Sequence, residues 1–162
     1  MIGRSLLGPL TCLAACGYQS GAPAAAAPDT AAVHAELNAL ADQYEIALKA
    51  GDAGAIAGHF TDDARVEFQR FPSAVGRPAI QAQHVERFAA QKVLEIEINT
   101  QAVSAPAADR ASGRGTAVQT VEMGGKRSQE WWRWVAGYRK AGEGPWQLTF
   151  LMGFMDSTRA AQ

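Results

Sequence analysis

The hydrophobic pattern changes period part-way along the chain, and that change limits what the chain can fold into. Val33, Leu37, Leu40, Tyr44 and Leu48 recur at spacings of four, three, four and four, which stacks them on one face of a helix. Asp29 or Thr30 can cap its start, and Gly51 ends it. Asp52 caps a second, short helix carrying Ile56 and Phe60. Ala64–Phe68 reads as a short strand with Ala64, Val66 and Phe68 on one side. Gly76-Arg77-Pro78 opens a third helix, with Pro78 in the first turn, where its missing N–H costs little. Ile80, His84 and Phe88 take the inner face of that helix.

From Leu94 onward the period is two. Leu94, Ile96 and Ile98 alternate with Glu95, Glu97 and Asn99, the pattern of a half-buried strand. Ala111–Met123 is a second strand, with Gly113 and Gly115 marking a bulge or close packing. Gly124-Gly125 turns the chain into Ser128–Lys140. Residues 141–144 turn it again into Trp146–Met155, where Leu148, Phe150, Met152 and Phe154 share a face. The order α-α-β-α-β-β-β-β predicts an α+β domain with a mostly antiparallel sheet.

Charge excludes one function class. Lys and Arg number 15 against 16 Asp and Glu, a net charge of −1, whereas nucleic-acid binding needs a basic excess on one face. No apolar run reaches the roughly 18–20 residues of a membrane-spanning helix. Two cysteines in 162 residues exclude a disulfide scaffold and a thiolate-rich metal site.

The first residues read as an address. Met1–Arg4 carry one positive charge, Ser5–Ala15 are mostly apolar and small, and the segment ends in Leu13-Ala14-Ala15-Cys16. This resembles a bacterial lipobox, which implies removal of residues 1–15 and acylation of Cys16. Several buried acyl chains then anchor the protein to a bilayer, since one chain alone holds only marginally. Cleavage would also remove Cys12, leaving no free thiol. An ordinary secretory peptide cut nearby, with Cys16 incidental, is the competing reading. Gly17, where Asp is typical of inner-membrane retention, points by resemblance to the outer membrane, facing the periplasm. Residues 16–29 are rich in Ala, Pro and Gly and cannot bury enough apolar surface to order themselves, so they read as a tether. The folded domain is expected over 30–156, with 157–162 as a tail.

The run Gln43-Tyr44-Glu45-Ile46-Ala47-Leu48-Lys49-Ala50-Gly51-Asp52, followed by Ile56, Phe60-Thr61-Asp62-Asp63-Ala64 and Gly76-Arg77-Pro78-Ala79-Ile80, resembles the nuclear-transport-factor-2-like superfamily. That superfamily includes SnoaL-type cyclases and ketosteroid isomerases. Trp134–Tyr138 and Gly144-Pro145-Trp146-Gln147-Leu148 resemble its closing hairpin. The resemblance covers about Ala31–Met155. It implies a cone: a curved sheet wrapped around the long first helix with two shorter helices, and a concave apolar pocket at the open end. It also implies an oxyanion donor at Tyr44. The family's catalytic base falls at Phe68 and its protonated carboxylic acid near Ala136, so both chemistries are replaced by apolar side chains. Glu67 is adjacent to Phe68 but points to the opposite face.

The remaining candidates carry chemistry and bland readings together. Tyr44 is either a ligand donor or a core tyrosine with its hydroxyl at the rim. Asp62 and Asp63 are a close acidic pair, best read as turn chemistry. His34, His59 and His84 show no metal-ligand spacing, so no metal and no cofactor are expected. His84 and His59 are satisfied core or rim histidines, or acid–base groups in a cavity. Alternation places Glu130, Trp132, Trp134, Ala136 and Tyr138 on the concave face of one strand, and Gln129, Trp131, Arg133 and Val135 on the other. The expected ligand site is therefore Tyr44, Phe60, Phe68, His84, Glu130, Trp132, Trp134 and Tyr138. Trp131 and Arg133 suggest a homodimer through the outer sheet face. The leading functional expectation is an anchored envelope lipoprotein binding a small apolar or amphipathic molecule. The alternatives are an isomerase-like or SnoaL-like enzyme acting on a small carbonyl or polyketide-type substrate, with Glu130, His84 or Asp63 as base, and a dimeric interaction module.

Overall fold

Asp29 begins the first helix: its Oδ1 accepts from the Ala31 N–H at 2.9 Å, satisfying a donor that the first turn leaves free. The structure, a computed structural model, describes residues 28–161. The expected signal segment 1–15, Cys16 and tether residues 17–27 lie outside the described residues. Helix α1 runs Thr30–Ala50 and ends at Gly51, whose φ of 66° lets its N–H reach the Ala47 and Leu48 carbonyls. Val33, Leu37, Tyr44, Ala47 and Leu48 form its buried stripe. Asp52 caps the short α2, Ala53–Gly58, through Ala55 N at 2.8 Å.

Strand β1 spans Phe60–Phe68, so Phe60 opens a strand and is not on the second helix. Its carbonyl accepts from Arg77 Nη2 at 2.7 Å and Nε at 3.1 Å. A two-residue strand β2, Ala74–Val75, follows. Helix α3 covers Arg77–Ala90 and buries Ile80, His84 and Arg87. Four long strands complete the chain: β3 Lys92–Ala107, β4 Arg110–Met123, β5 Lys126–Lys140 and β6 Trp146–Ala160. The sheet order is β2-β1-β6-β5-β4-β3. Only β1 and β6 run parallel, and every other pair is antiparallel. The result is an α+β fold: a curved, unclosed sheet with the long helix α1 against its inner face.

Two departures from the periodicity have a local cause. Leu148, Phe150, Met152 and Phe154 do not share a face, because the β5–β6 register shifts between Tyr138, which pairs with Leu148, and Gly137, which pairs with Phe150. The extra residue is a bulge, and it reverses alternation beyond it. Leu148 and Leu151 are buried, while Phe150 and Phe154 are 38% and 44% exposed. The last strand also continues through residues 157–160, beyond the expected domain end, with Ser128 opposite Ala160.

Helix α1 also closes the free edge of β3. Glu45 Oε1 accepts from Ile98 N at 2.6 Å, and His34 Nε2 lies 3.2 Å from the Thr100 carbonyl. Edge strands otherwise present unpaired backbone groups to any passing strand. Where β5 turns into β6, Glu36 Oε2 accepts from Trp146 Nε1 at 2.6 Å and Lys140 Nζ at 2.7 Å. The helix is thus tied to the β3 edge and to the turn between β5 and β6.

Small residues on β4 face large ones on β5. Ala117 pairs with Trp132, Gly115 with Trp134 and Ala111 with Tyr138. A Cβ on Gly115 would stand 1.9 Å from the Asn99 carbonyl oxygen and 2.8 Å from Trp134 Cζ2. Gly115→Ala should therefore cost about 1–3 kcal/mol or more by overpacking. Gly58→Ala, where nothing lies within 4 Å of the new atom, should be neutral or stabilising by up to about 1 kcal/mol. Urea melts of the two variants measure this; equal midpoints would contradict it.

Candidate functional site

Between α1 and the inner face of the sheet lies a cavity of about 100 Å³. Helix α1 contributes Leu37, Leu40, Ala41, Tyr44 and Leu48. From β5 come Trp132, Trp134 and Tyr138, and β3 adds Ile96 and Ile98. Phe68, at the end of β1, and Phe71, in the loop after it, form another wall. Arg87 and Gln119 are the lining residues with strongly polar side chains. The side chains reach inward because α1 presents one stripe and β5 presents alternate residues.

Each expected site residue has a definite place. Tyr44, Phe68, Trp132, Trp134 and Tyr138 line the cavity. Phe60 does not; it is fully buried in the core, its ring 6.2 Å from that of Tyr44. His84 is also absent from the lining, because its ring is sealed between Phe68 and Phe88, with centroids at 6.5 and 5.7 Å. Glu130 is 5% exposed rather than at a rim. Its Oε2 is turned to Gln119 Nε2 at 2.6 Å and Trp132 Nε1 at 3.1 Å, and Arg70 Nη1 lies 3.8 Å from its Oε1.

Two residues were missed. Arg87 is buried on α3, where Nη2 donates to Gln119 Oε1 at 3.0 Å. Gln119 in turn links it to Glu130. A signal existed for both. Arg87 follows His84 by three positions on the buried face of α3, and Gln119 continues the inward alternation of Ala111, Gly113, Gly115 and Ala117. A buried arginine contradicts the usual hydropathy expectation, which is why the stripe was read through Phe88.

Electrostatics limits the chemistry. Burial pushes the Tyr44 hydroxyl up to about 12, with Arg87 pulling weakly the other way. Burial also raises Tyr138. Both are therefore hydrogen-bond donors at neutral pH and not bases. Trp134 Nε1 is already spent on the Thr116 carbonyl at 3.1 Å. Asp63 is 74% exposed beside Arg139 and Asp62 is 90% exposed beside Arg77, so neither faces the cavity. Among the described residues no carboxylate and no imidazole lines the cavity wall. Among the described residues no group of metal-ligating side chains comes together.

A SnoaL-like domain model matches residues 29–149. The chain belongs to the SnoaL-like domain family. Its fold is that of the nuclear-transport-factor-2-like superfamily. Among solved structures, this SnoaL-like domain is similar to a ketosteroid isomerase-like protein from Erwinia carotovora atroseptica, with a TM-score of 0.69 and 22% identity over 76% of this chain and 95% of that one. A Mycobacterium tuberculosis protein of unknown function matches with a TM-score of 0.68 and 20% identity, covering 77% of each chain. A hexachlorocyclohexane dehydrochlorinase, LinA type 2, matches with a TM-score of 0.66 and 16% identity over 82% of this chain and 90% of that one. At these identities the likeness is one of fold. No curated protein matches the chain.

The sealed His84 gives the SnoaL-like domain a pH dependence. Burial, reinforced by Arg87, pulls its imidazole down to about 3. The unfolded chain takes up that proton near pH 6.5. Stability is therefore undiminished above about pH 6.5 and falls as pH drops from there toward 3, by at most about 1.4 kcal/mol per unit. His59 is lowered by burial in the same sense, so the readout is a difference. Urea midpoints at pH 7 and pH 5 should converge in His84→Leu relative to wild type. An unchanged pH dependence would contradict the assignment.

Proposed function

We propose that the protein is a lipid-anchored envelope protein whose SnoaL-like domain binds a small apolar or amphipathic molecule. The observation that carries the binding reading is the cavity itself: an aromatic-walled hollow with no general base aimed into it. Proton abstraction next to a carbonyl needs a base within hydrogen-bond reach of the substrate. The family position for that base holds Phe68, and the carboxylate of Glu130 is engaged by its own neighbours. Apolar enclosure with a few polar groups is the usual construction of a small-ligand site.

The anchor rests on the segment Leu13-Ala14-Ala15-Cys16 behind a charged start. Residues 16–29 then hold the domain off the bilayer, in the outer membrane facing the periplasm. No helix among the described residues is long and apolar enough to cross a membrane; in this proposal attachment comes through the acyl chains on Cys16. A homodimer through the outer sheet face would cover the exposed Phe150 and Phe154.

The enzyme alternative, acting on a small carbonyl or polyketide-type substrate, draws on one feature. Tyr44 stands at the family's oxyanion-donor position, and among the described residues its hydroxyl has no hydrogen-bond partner. Turnover of such a substrate that is lost in Tyr44→Phe would favour it over binding.

Two measurements test the proposal. Titration with neutral apolar probes, 1-naphthol and 3-phenylpropan-1-ol, should shift tryptophan emission. Ala117→Leu, which fills the cavity from β4, should weaken binding by about tenfold or more. No spectral response to either probe would remove the binding reading. Mass spectrometry of the protein from a bacterial envelope should find Cys16 as a diacylated, N-acylated terminus, and Cys16→Ser should release the protein from membranes. An unmodified Cys16 would remove the anchor.

A further inference from the structure

Arg87 is 8% exposed, yet among the described residues no carboxylate pairs with it directly. Its one hydrogen bond, to Gln119 Oε1, uses a neutral acceptor. Its Nε is buried with no acceptor at all. A guanidinium offers five N–H groups in a planar fork, so most of this one's capacity is unspent. The single buried acid nearby, Glu130, reaches Arg87 only through Gln119, and its other oxygen faces Arg70. One carboxylate thus serves two guanidiniums. An uncompensated buried charge is costly, and a direct anion would relieve it.

The cavity geometry places this deficit where a ligand would meet it. Arg87 lines the cavity together with Tyr44, whose buried hydroxyl is also unpartnered. The rings of Phe68 and Phe71 flank the guanidinium, each centroid 6.0 Å from Cζ. Apart from Gln119, whose side-chain oxygen and nitrogen are engaged by Arg87 and Glu130, most of the remaining wall is apolar. The cavity is therefore apolar along its body and short of acceptors at Arg87.

Building on the binding reading above, we propose that the cavity selects a small apolar monocarboxylate. Its carboxylate docks on Arg87, with Tyr44 as a second donor, and its hydrocarbon body lies against Trp132 and Trp134. Arg87 is the specificity-determining residue, because its fork matches a carboxylate in a way a point charge does not.

The test compares 3-phenylpropanoate with 3-phenylpropan-1-ol, which have the same body and differ in the head group. Both are titrated into the full chain by calorimetry and tryptophan fluorescence. Wild type should bind the acid about tenfold or more tightly than the alcohol. Arg87→Gln should erase that preference, and Arg87→Lys, which keeps the charge but loses the fork, should restore only part of it. Equal affinity of wild type for the two, or a preference that survives Arg87→Gln, would overturn the proposal. The wild-type comparison decides the matter even if a variant does not fold. Alcohol binding without preference for the acid removes this inference alone, whereas failure of both molecules to bind removes the cavity reading with it.

Discussion

The whole arrangement depends on size complementarity between two neighbouring strands. Trp134 can turn inward only because Gly115 stands opposite, while Ala117 and Ala111 are the partners of Trp132 and Tyr138. With a larger side chain at Gly115 the new atoms would collide with the Asn99 carbonyl of β3 and with the Trp134 ring, and one of them would have to move. Small-against-large pairing leaves room for the Trp134 ring on the inner face beside the hollow. The same logic recurs on β6, where a Cβ on Gly153 would lie 2.6 Å from Phe68 Cδ1. Cavity and wall therefore have a common origin.

Much of this was legible in the sequence, and the illegible parts have physical reasons. The α1 stripe, its two caps and the inward set on β5 follow from periodicity, since one face of each element is buried and the other is not. Phe60 was misplaced because a helix end and a strand start meet within two residues, where periodicity has no length to act on. The split face of β6 was hidden because a bulge adds one residue without any compositional mark. β2 is too short to show a pattern. Arg87 and Gln119 were passed over because polar residues in a buried stripe look like errors of register until their partners are seen.

Those two residues change how the site reads. Taken alone, the aromatic wall describes a pocket indifferent to anything but size and apolarity. The chain Arg87–Gln119–Glu130–Trp132 introduces direction: donors at one end and a hydrogen-bonded carboxylate behind them. It also fixes wall geometry, since Glu130 orients the Trp132 indole and Arg87 sits between two phenyl rings. A polar network inside an apolar shell must be well satisfied or it is a liability, and here it is satisfied on the Glu130 side and open on the Arg87 side. The fold hosts unrelated chemistries, so it is this local asymmetry, rather than membership of the family, that bears on function.

The space between Tyr44 and Trp134 is an apolar hollow. A crystal structure under xenon pressure tests it directly, because xenon enters apolar cavities and ignores polar ones. Xenon should be found bounded by α1 and the inner face of β5, with the backbone unmoved. Xenon found only on the outer sheet face near Phe150 and Phe154, with the interior closed by side chains, would contradict it.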